Sequence, residues 1–292
     1  VNRSLRDGNV LRGIGLVCAG VLCFVITDSV NKALARELPP LEVSWGRAVS
    51  FAIVMAVVLF PRLGLRLVRT RKPGLQLLRG LVFGASSTMA VFALETLPLA
   101  DATAIVNLQP LVILALSAPL LGERVGWRQW LAVFVGFAGV LMIVQPDGDG
   151  QVGGALWMLG GSVGGAIYLL LNRRLGLDEK PTTSLFLGTV VAAVALSLVV
   201  PAVWVTPTRL EHWLGFVAAG LSGGAGHYLF IRAYTMAKPS TLAPFNYSHL
   251  LWGIAASWAI FGEVPTALTL AGMAVIGGAG IYVTLFASGK AA

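Results

Sequence analysis

The chain has 292 residues, 57% of them hydrophobic and only 12% charged, with a formal net charge of +8 and a mean hydropathy of +0.82. Soluble domains carry about 25% charged residues, so the composition calls for an integral membrane protein and leaves least room for a soluble α/β fold with a very large buried sheet. The positive charge falls between apolar runs, where it reads as a topology signal rather than as a nucleic-acid surface.

Taken in order, ten apolar segments approach the ~20 residues a helix needs to cross the hydrocarbon. They are 11–30, 43–60, 76–95, 101–121, 127–144, 153–173, 183–201, 212–231, 240–261 and 267–286. Leu11 to Val30 reads as a first span that is retained rather than processed. Cys18 and Cys23 lie in it, five apart and off one helical face, which argues against a disulfide or a metal site. Prolines punctuate the connections, among them Pro39, Pro61, Pro73, Pro98, Pro181, Pro207, Pro239 and Pro265, and no soluble domain is inserted. With the N-terminus in the cytoplasm, all 21 lysines and arginines except Lys32, Arg36, Arg209 and the intraspan Arg47 fall on the cytoplasmic side. The positive-inside rule then predicts a multi-pass protein of the plasma membrane (the bacterial inner membrane) with both termini cytoplasmic.

The fourth span, ATAIVNLQPLVILALSAPLLGE, has a relative 140 positions on, LAPFNYSHLLWGIAASWAIFGE. Both end in Gly-Glu, at Gly122-Glu123 and Gly262-Glu263, and Ala93 and Ala233 precede them in register. Gly13 and Gly20 align with Gly154 and Gly161, and Asn31-Lys32 with Asn172-Arg173, at a shift of 141. The sequence therefore divides into repeats 1–147 and 148–292. Five spans per repeat is an odd number, so the second repeat enters the membrane from the opposite side. The expected fold is an all-α integral membrane protein of ten transmembrane helices in a five-plus-five inverted repeat.

Polar residues inside such spans mark the bundle interior. In span 4 these are Asn107 and Gln109, two apart and so unable to share a face, beside Pro110, which frees the Val106 carbonyl. Span 9 carries Asn246, Tyr247 and His249 after Pro244, with positions 242, 246, 249 and 253 on one helical face. Because Leu250 stands where Pro110 stands in span 4, the two spans need not bend alike. Span 8 places His227 and Tyr228 next to Gly223, Gly224 and Gly226, which clear space for a helix contact or for substrate. Tyr168 and Trp157 offer aromatic surface in span 6, and Ser86, Ser87 and Thr88 offer hydroxyls in span 3. Substrate candidates are thus Asn107, Gln109, Asn246, His249, His227, Tyr228, Tyr168, Trp157 and Ser87. Asp28 and His249 are the candidates for ion or proton coupling, with Lys32 or Arg47 as alternative structural partners of Asp28. Glu123 and Glu263 read as caps of the following helices or partners of loop arginines. No catalytic constellation, nucleotide-binding motif, cofactor site or metal site is visible.

A fourth span with Pro110-Leu111 and a Leu120-x-Gly122-Glu123 ending, followed by a Gly-bearing fifth span, resembles the drug/metabolite transporter superfamily and within it the EamA family. The resembling segments are Leu99 to Pro146 and Pro239 to Leu285. The narrower likeness is to the YddG-type aromatic amino acid exporters. What the resemblance implies is export or exchange of small metabolites, amino acids among them, with some members taking up vitamins. The function expected is a monomeric, alternating-access transporter of small neutral metabolites, foremost aromatic and other apolar amino acids. The alternatives are a carrier of a vitamin, drug or other small metabolite, and a channel. Spans 1, 3, 4, 6, 8 and 9 are expected to line the path; spans 5 and 10 are expected to be peripheral. The lipid bilayer and a small-molecule substrate are the expected partners, with no nucleic acid.

Overall fold

The structure is a computed structural model and describes residues 2–122, 125–144, 151–175 and 179–287. It is all-helical, with no strand among these residues. The helices are α1 (Asn2–Ala35), α2 (Pro40–Leu63), α3 (Pro73–Thr96), α4 (Leu99–Val106), α5 (Gln109–Leu121), α6 (Trp127–Val144), α7 (Gln151–Leu175), α8 (Pro181–Val199), α9 (Leu210–Met236), α10 (Pro239–Leu242), α11 (Ser248–Phe261) and α12 (Ala267–Tyr282). Pro40, Pro73 and Pro181 open their helices at the first turn, where the missing N–H costs nothing. Gly122 and Gly262 close α5 and α11 with φ of 71° and 68°, the left-handed cap that glycine adopts without strain.

Among the described residues nine helical stretches are long and apolar enough to span a membrane. The tenth span is the ninth in order, split into α10, a 3₁₀ stretch Ala243–Tyr247 and α11, each too short alone. Span 4 is split too, into α4 and α5 at Asn107 and Leu108. The fold is thus a ten-span, all-α membrane protein of two five-span inverted repeats. Span 9 is broken although Leu250 stands where span 4 has Pro110, and over a 3₁₀ stretch rather than a two-residue turn. Pro244, six residues before the position equivalent to Pro110, interrupts α-helical bonding there instead.

The chain forms two compact units: Val1–Ile26, Pro98–Gly148 and Ala225–Ala292 in the first, Thr27–Leu97 and Asp149–Gly224 in the second. Each draws spans from both sequence repeats. Within the first unit α1 lies on the end of α9. A Cβ built on Gly13 would meet the Ala233 carbonyl at 3.6 Å and Ala237 Cβ at 3.4 Å, and one on Gly20 the Gly226 carbonyl at 3.2 Å. Within the second unit α7 lies on α3 through the repeat-equivalent positions. There a Cβ on Gly154 would meet the Ala93 carbonyl at 3.4 Å and Leu97 Cγ at 2.9 Å, and one on Gly161 the Ser86 carbonyl at 3.1 Å. The aligned glycines therefore sit at close helix–helix contacts, as small residues do in membrane bundles.

In the first unit α6 and α12 cross glycine on glycine: a Cβ on Gly139 would fall 2.9 Å from the Gly272 carbonyl, and one on Gly272 2.6 Å from that of Gly139. In the second unit α3 runs between α7 and α8, with α2 against α8. At one end of this unit Glu179 accepts from Thr70 Oγ1 (2.7 Å) and the Arg71 amide (2.8 Å), and Lys72 Nζ caps α7 at the Leu175 carbonyl (3.3 Å). Elsewhere in it Glu37, just after α1, binds His212 Nε2 in the first turn of α9 (2.9 Å) and Arg209 Nη1 just before that helix (2.7 Å). The His212 hydrogen bond, with Arg209 beside it, holds the Glu37 carboxyl below the ordinary carboxylate range. Whatever stability this linkage gives is present above that range and is lost as pH falls through it.

Candidate functional site

In the first unit the two broken spans meet. Asn107, buried at the end of α4, donates through Nδ2 to the Thr103 carbonyl at 2.7 Å and lies 3.1 Å from His249 Nδ1 on α11. With one amide hydrogen on Thr103, the other faces the imidazole, so the network assigns His249 Nδ1 as acceptor and the ring as neutral. Asn107 serves the Thr103 carbonyl, one turn back, rather than the Val106 carbonyl that Pro110 leaves without a helical donor. Gln109 is the first residue of α5 and is half-buried.

Asn246 lies inside the 3₁₀ stretch, so it does not share a continuous α-helical face with His249, and the expected face 242–246–249–253 is interrupted. The break leaves three consecutive residues with buried polar atoms that have no hydrogen-bond partner: Asn246 Oδ1, Tyr247 Oη and Ser248 Oγ. Tyr247 reaches this position because Gly280 on α12 has no side chain; a Cβ there would lie 3.0 Å from Tyr247 Cε1 and closer to the hydroxyl. Orphaned polar groups are rare in folded proteins and call for a ligand, water or ion. His227 stacks edge-on against Phe24 of α1 at 5.0 Å, and Tyr228 is 52% exposed. The neighbouring glycines serve helix contacts: Gly226 is filled by Phe24, and Gly224, in the second unit, by Phe51.

Glu263 does not cap the helix that follows it. Thr266 does that, accepting from the Thr269 amide at 3.1 Å. Glu263 Oε2 instead accepts from the Leu99 amide at 3.2 Å, at the N-terminus of α4, and Ser257 Oγ, 3.4 Å from it, is 3.4 Å from the Ala100 amide. A carboxylate there satisfies orphan donors and complements the helix dipole, so the Gly-Glu ending of span 9 holds the half-helix that carries Asn107. Glu263→Ala is expected to cost about 0.5–2 kcal/mol of stability, read from unfolding of the purified protein. Glu123 lies outside the described residues.

In the second unit the candidates are spread more widely. Arg47 acts electrostatically on Asp28, and both are half-buried; Lys32 Nζ donates to the Leu97 carbonyl beyond the end of α3. Thr27 and Ser222 share a hydrogen bond of 2.8 Å. Ser86 donates to the Gly161 carbonyl at 2.8 Å, whereas Ser87 Oγ and Thr88 Oγ1 are buried without partners. Trp157, 45% exposed, stacks on Phe92 at 5.1 Å. Tyr168 packs on Phe83 at 5.2 Å and under the guanidinium of Arg79 at 4.9 Å.

Arg79, one of the basic residues expected on the cytoplasmic side, is not a loop charge. It lies in the second turn of α3 and is 1% exposed. Its Nη1 donates to Asn172 Oδ1 (2.6 Å) and Tyr168 Oη (3.5 Å), and its Nη2 to the Ser184 carbonyl. The signal for burial was its place on the face of Gln76, Gly80 and Gly84, which packs on α8: a Cβ on Gly80 would lie 2.5 Å from that of Val191.

No group of three or more metal-ligating side chains occurs among the described residues. The model of the EamA-like transporter family matches residues 11–145 and again 152–286. An S-adenosylmethionine uptake transporter of Rickettsia bellii is 28% identical over 98% of this chain and 96% of its own. A riboflavin transporter of Rhizobium johnstonii is 28% identical over 94% and 91%, and the pseudopaline exporter CntI of Pseudomonas aeruginosa is 29% identical over 90% and 95%. A crystal structure 18% identical in sequence shares the fold with a TM-score of 0.65, over 94% of this chain and 97% of that one.

Proposed function

Because the chain belongs to the EamA-like transporter family, and so is a membrane transporter of small molecules rather than an enzyme, we propose that it carries a polar, ring-bearing metabolite of the S-adenosylmethionine or riboflavin kind. None of the relatives named above is an amino acid exporter by name, so the amino acid reading yields to its alternative of a vitamin or other small metabolite.

The observation that carries the reading is the run of orphaned polar atoms at the span-9 break, Asn246 Oδ1, Tyr247 Oη and Ser248 Oγ, beside the Asn107–His249 pair. Hydroxyls, an amide and an imidazole suit a heteroaromatic cargo with several hydrogen-bonding edges. In this state those atoms are closed off from solvent, so they meet cargo only when the break opens, as alternating access requires. His249 is a poor proton carrier here, because a proton on Nδ1 has to displace the Asn107 hydrogen bond; Asp28 with Arg47 is the better coupling candidate. The excess of basic residues in one set of loops supports cytoplasmic termini in a bacterial inner membrane, with a single chain as the working unit.

Counterflow in proteoliposomes tests the reading. Labelled S-adenosylmethionine or riboflavin should enter liposomes preloaded with the same compound, saturably and with competition between substrates. Counterflow confined to phenylalanine and other amino acids would return the function to amino acid transport. Non-saturable flux without competition would make the protein a channel.

A further inference from the structure

Arg79 is a fully buried cation that no carboxylate of the described residues balances. Among the described residues no acid forms an ion pair with it, and Glu179, a described acid at its end of the unit, accepts from Thr70 and Arg71. Arg47, within α2, has Asp28 as a charged neighbour. The fold does not require a cation at this place: the repeat-equivalent position holds Ala219. There Asn31, the counterpart of Asn172, is left with its Oδ1 buried and unbonded.

A guanidinium has five N–H donors and no acceptor. Every group facing it must therefore present a lone pair, and its own donors must turn the other way. Asn172 gives its Oδ1 to Arg79, so its NH₂ turns away from the guanidinium; Tyr168 gives the lone pair of its hydroxyl, so its O–H is likewise free to donate away from Arg79. Both side chains are half-buried rather than closed off. Away from Arg79 the two side chains thus have donors to offer, with the guanidinium charge directly behind them. Gly188 leaves room on the far side, since a Cβ there would lie 2.6 Å from Nη2.

We propose that Tyr168 and Asn172, backed by Arg79, form an oxyanion-binding subsite that takes the carboxylate of the transported metabolite. The proposal rests on the reading of the protein as a carrier of ring-bearing metabolites and narrows it, because it favours cargo of the S-adenosylmethionine kind over riboflavin, which has no anionic group. A charge-assisted donor pair in a site of low dielectric discriminates strongly between an oxyanion and its absence.

The test compares S-adenosylmethionine with its decarboxylated analogue, by calorimetric binding to protein in phosphatidylcholine nanodiscs. The parent should prefer the carboxylate form by about 10- to 100-fold. Asn172→Asp keeps the acceptor that Arg79 needs but cancels the charge and removes the NH₂. It should bring the two dissociation constants within about threefold, with no drop in melting temperature. Arg79→Gln should also erase the preference, whatever it does to stability. Equal binding of both compounds by the parent, or a preference that survives in Asn172→Asp, overturns the subsite.

If neither compound binds, titration with acetate against chloride at constant ionic strength decides. Stabilisation by acetate in the parent and none in Asn172→Asp supports the subsite and discards only the cargo reading; no acetate effect overturns it. Phosphatidylglycerol nanodiscs separate cargo from lipid. A cargo site keeps its preference there, whereas its loss by competition assigns the oxyanion to the headgroup phosphate and overturns the cargo assignment.

Discussion

Gly253→Val is expected to abolish transport and to lower the unfolding free energy by about 1–3 kcal/mol. Gly253 is where α11 meets α4: a Cβ there would overlap Thr103 Oγ1 and come within 2.9 Å of Thr103 Cβ and Cγ2. Thr103 cannot yield by rotating alone, because its hydroxyl donates to the Ala100 carbonyl and its own carbonyl accepts the Asn107 amide. The strain must therefore push α4 away from α11, and the Asn107–His249 contact of 3.1 Å lies one turn along the same two helices. Gly278→Val on α12 is the control, since a Cβ there meets nothing within 4 Å; it should stay within about 0.5 kcal/mol of the parent and keep transport. Chemical unfolding and initial counterflow rates on the same preparations check both. Parent-like transport by Gly253→Val would show that the approach of α4 and α11 does not matter to cargo movement.

The spans, their number and the repeat were legible because each is a local property of sequence: length, apolarity, and glycines recurring at one shift. The break in span 4 was legible from Pro110. The one in span 9 was not, because Leu250 stands at the position equivalent to Pro110, whereas Pro244 acts earlier and α10 ends after one turn. Polar residues could be found in the sequence, but not their partners. Nothing local says that Asn107 meets His249, 142 residues away, or that Glu263 reaches Leu99, 164 residues away. Arg79 was misplaced for a different reason. The positive-inside count treats an arginine near a span end as a surface charge, and Arg79 is only three residues inside the expected boundary at 76. The glycines at 80 and 84, which mark the packed face of α3, were the better guide. Cargo identity was the least legible feature, since amides, hydroxyls and rings fit many small molecules and the sequence carries no geometry to choose among them.

The two asparagines should separate under mutation, with opposite signs in stability. Asn107 has a full set of neighbours. Asn107→Ala removes two hydrogen bonds and leaves the His249 ring nitrogen facing an apolar gap, so the cost is the lost bonds plus an unpaired buried acceptor. About 1–3 kcal/mol of stability is expected, or nearer 0.6–2 if the membrane-embedded unfolded state finds partners of its own. Asn246 is the reverse case: its Oδ1 is already buried without a partner. Asn246→Ala removes an unmet acceptor and should leave stability unchanged or slightly higher. If that oxygen accepts from cargo when the break opens, the same change should weaken binding by roughly 2- to 12-fold, the equivalent of about 0.5–1.5 kcal/mol for a neutral pair. Dissociation constants and melting temperatures must come from the same purified variants, because a fall in transport alone does not tell a lost contact from a lost fold. An Asn246→Ala protein that melts lower than the parent and binds cargo equally well would make Asn246 interhelical glue. The cargo contact at the span-9 break would then rest on Tyr247 and Ser248 alone.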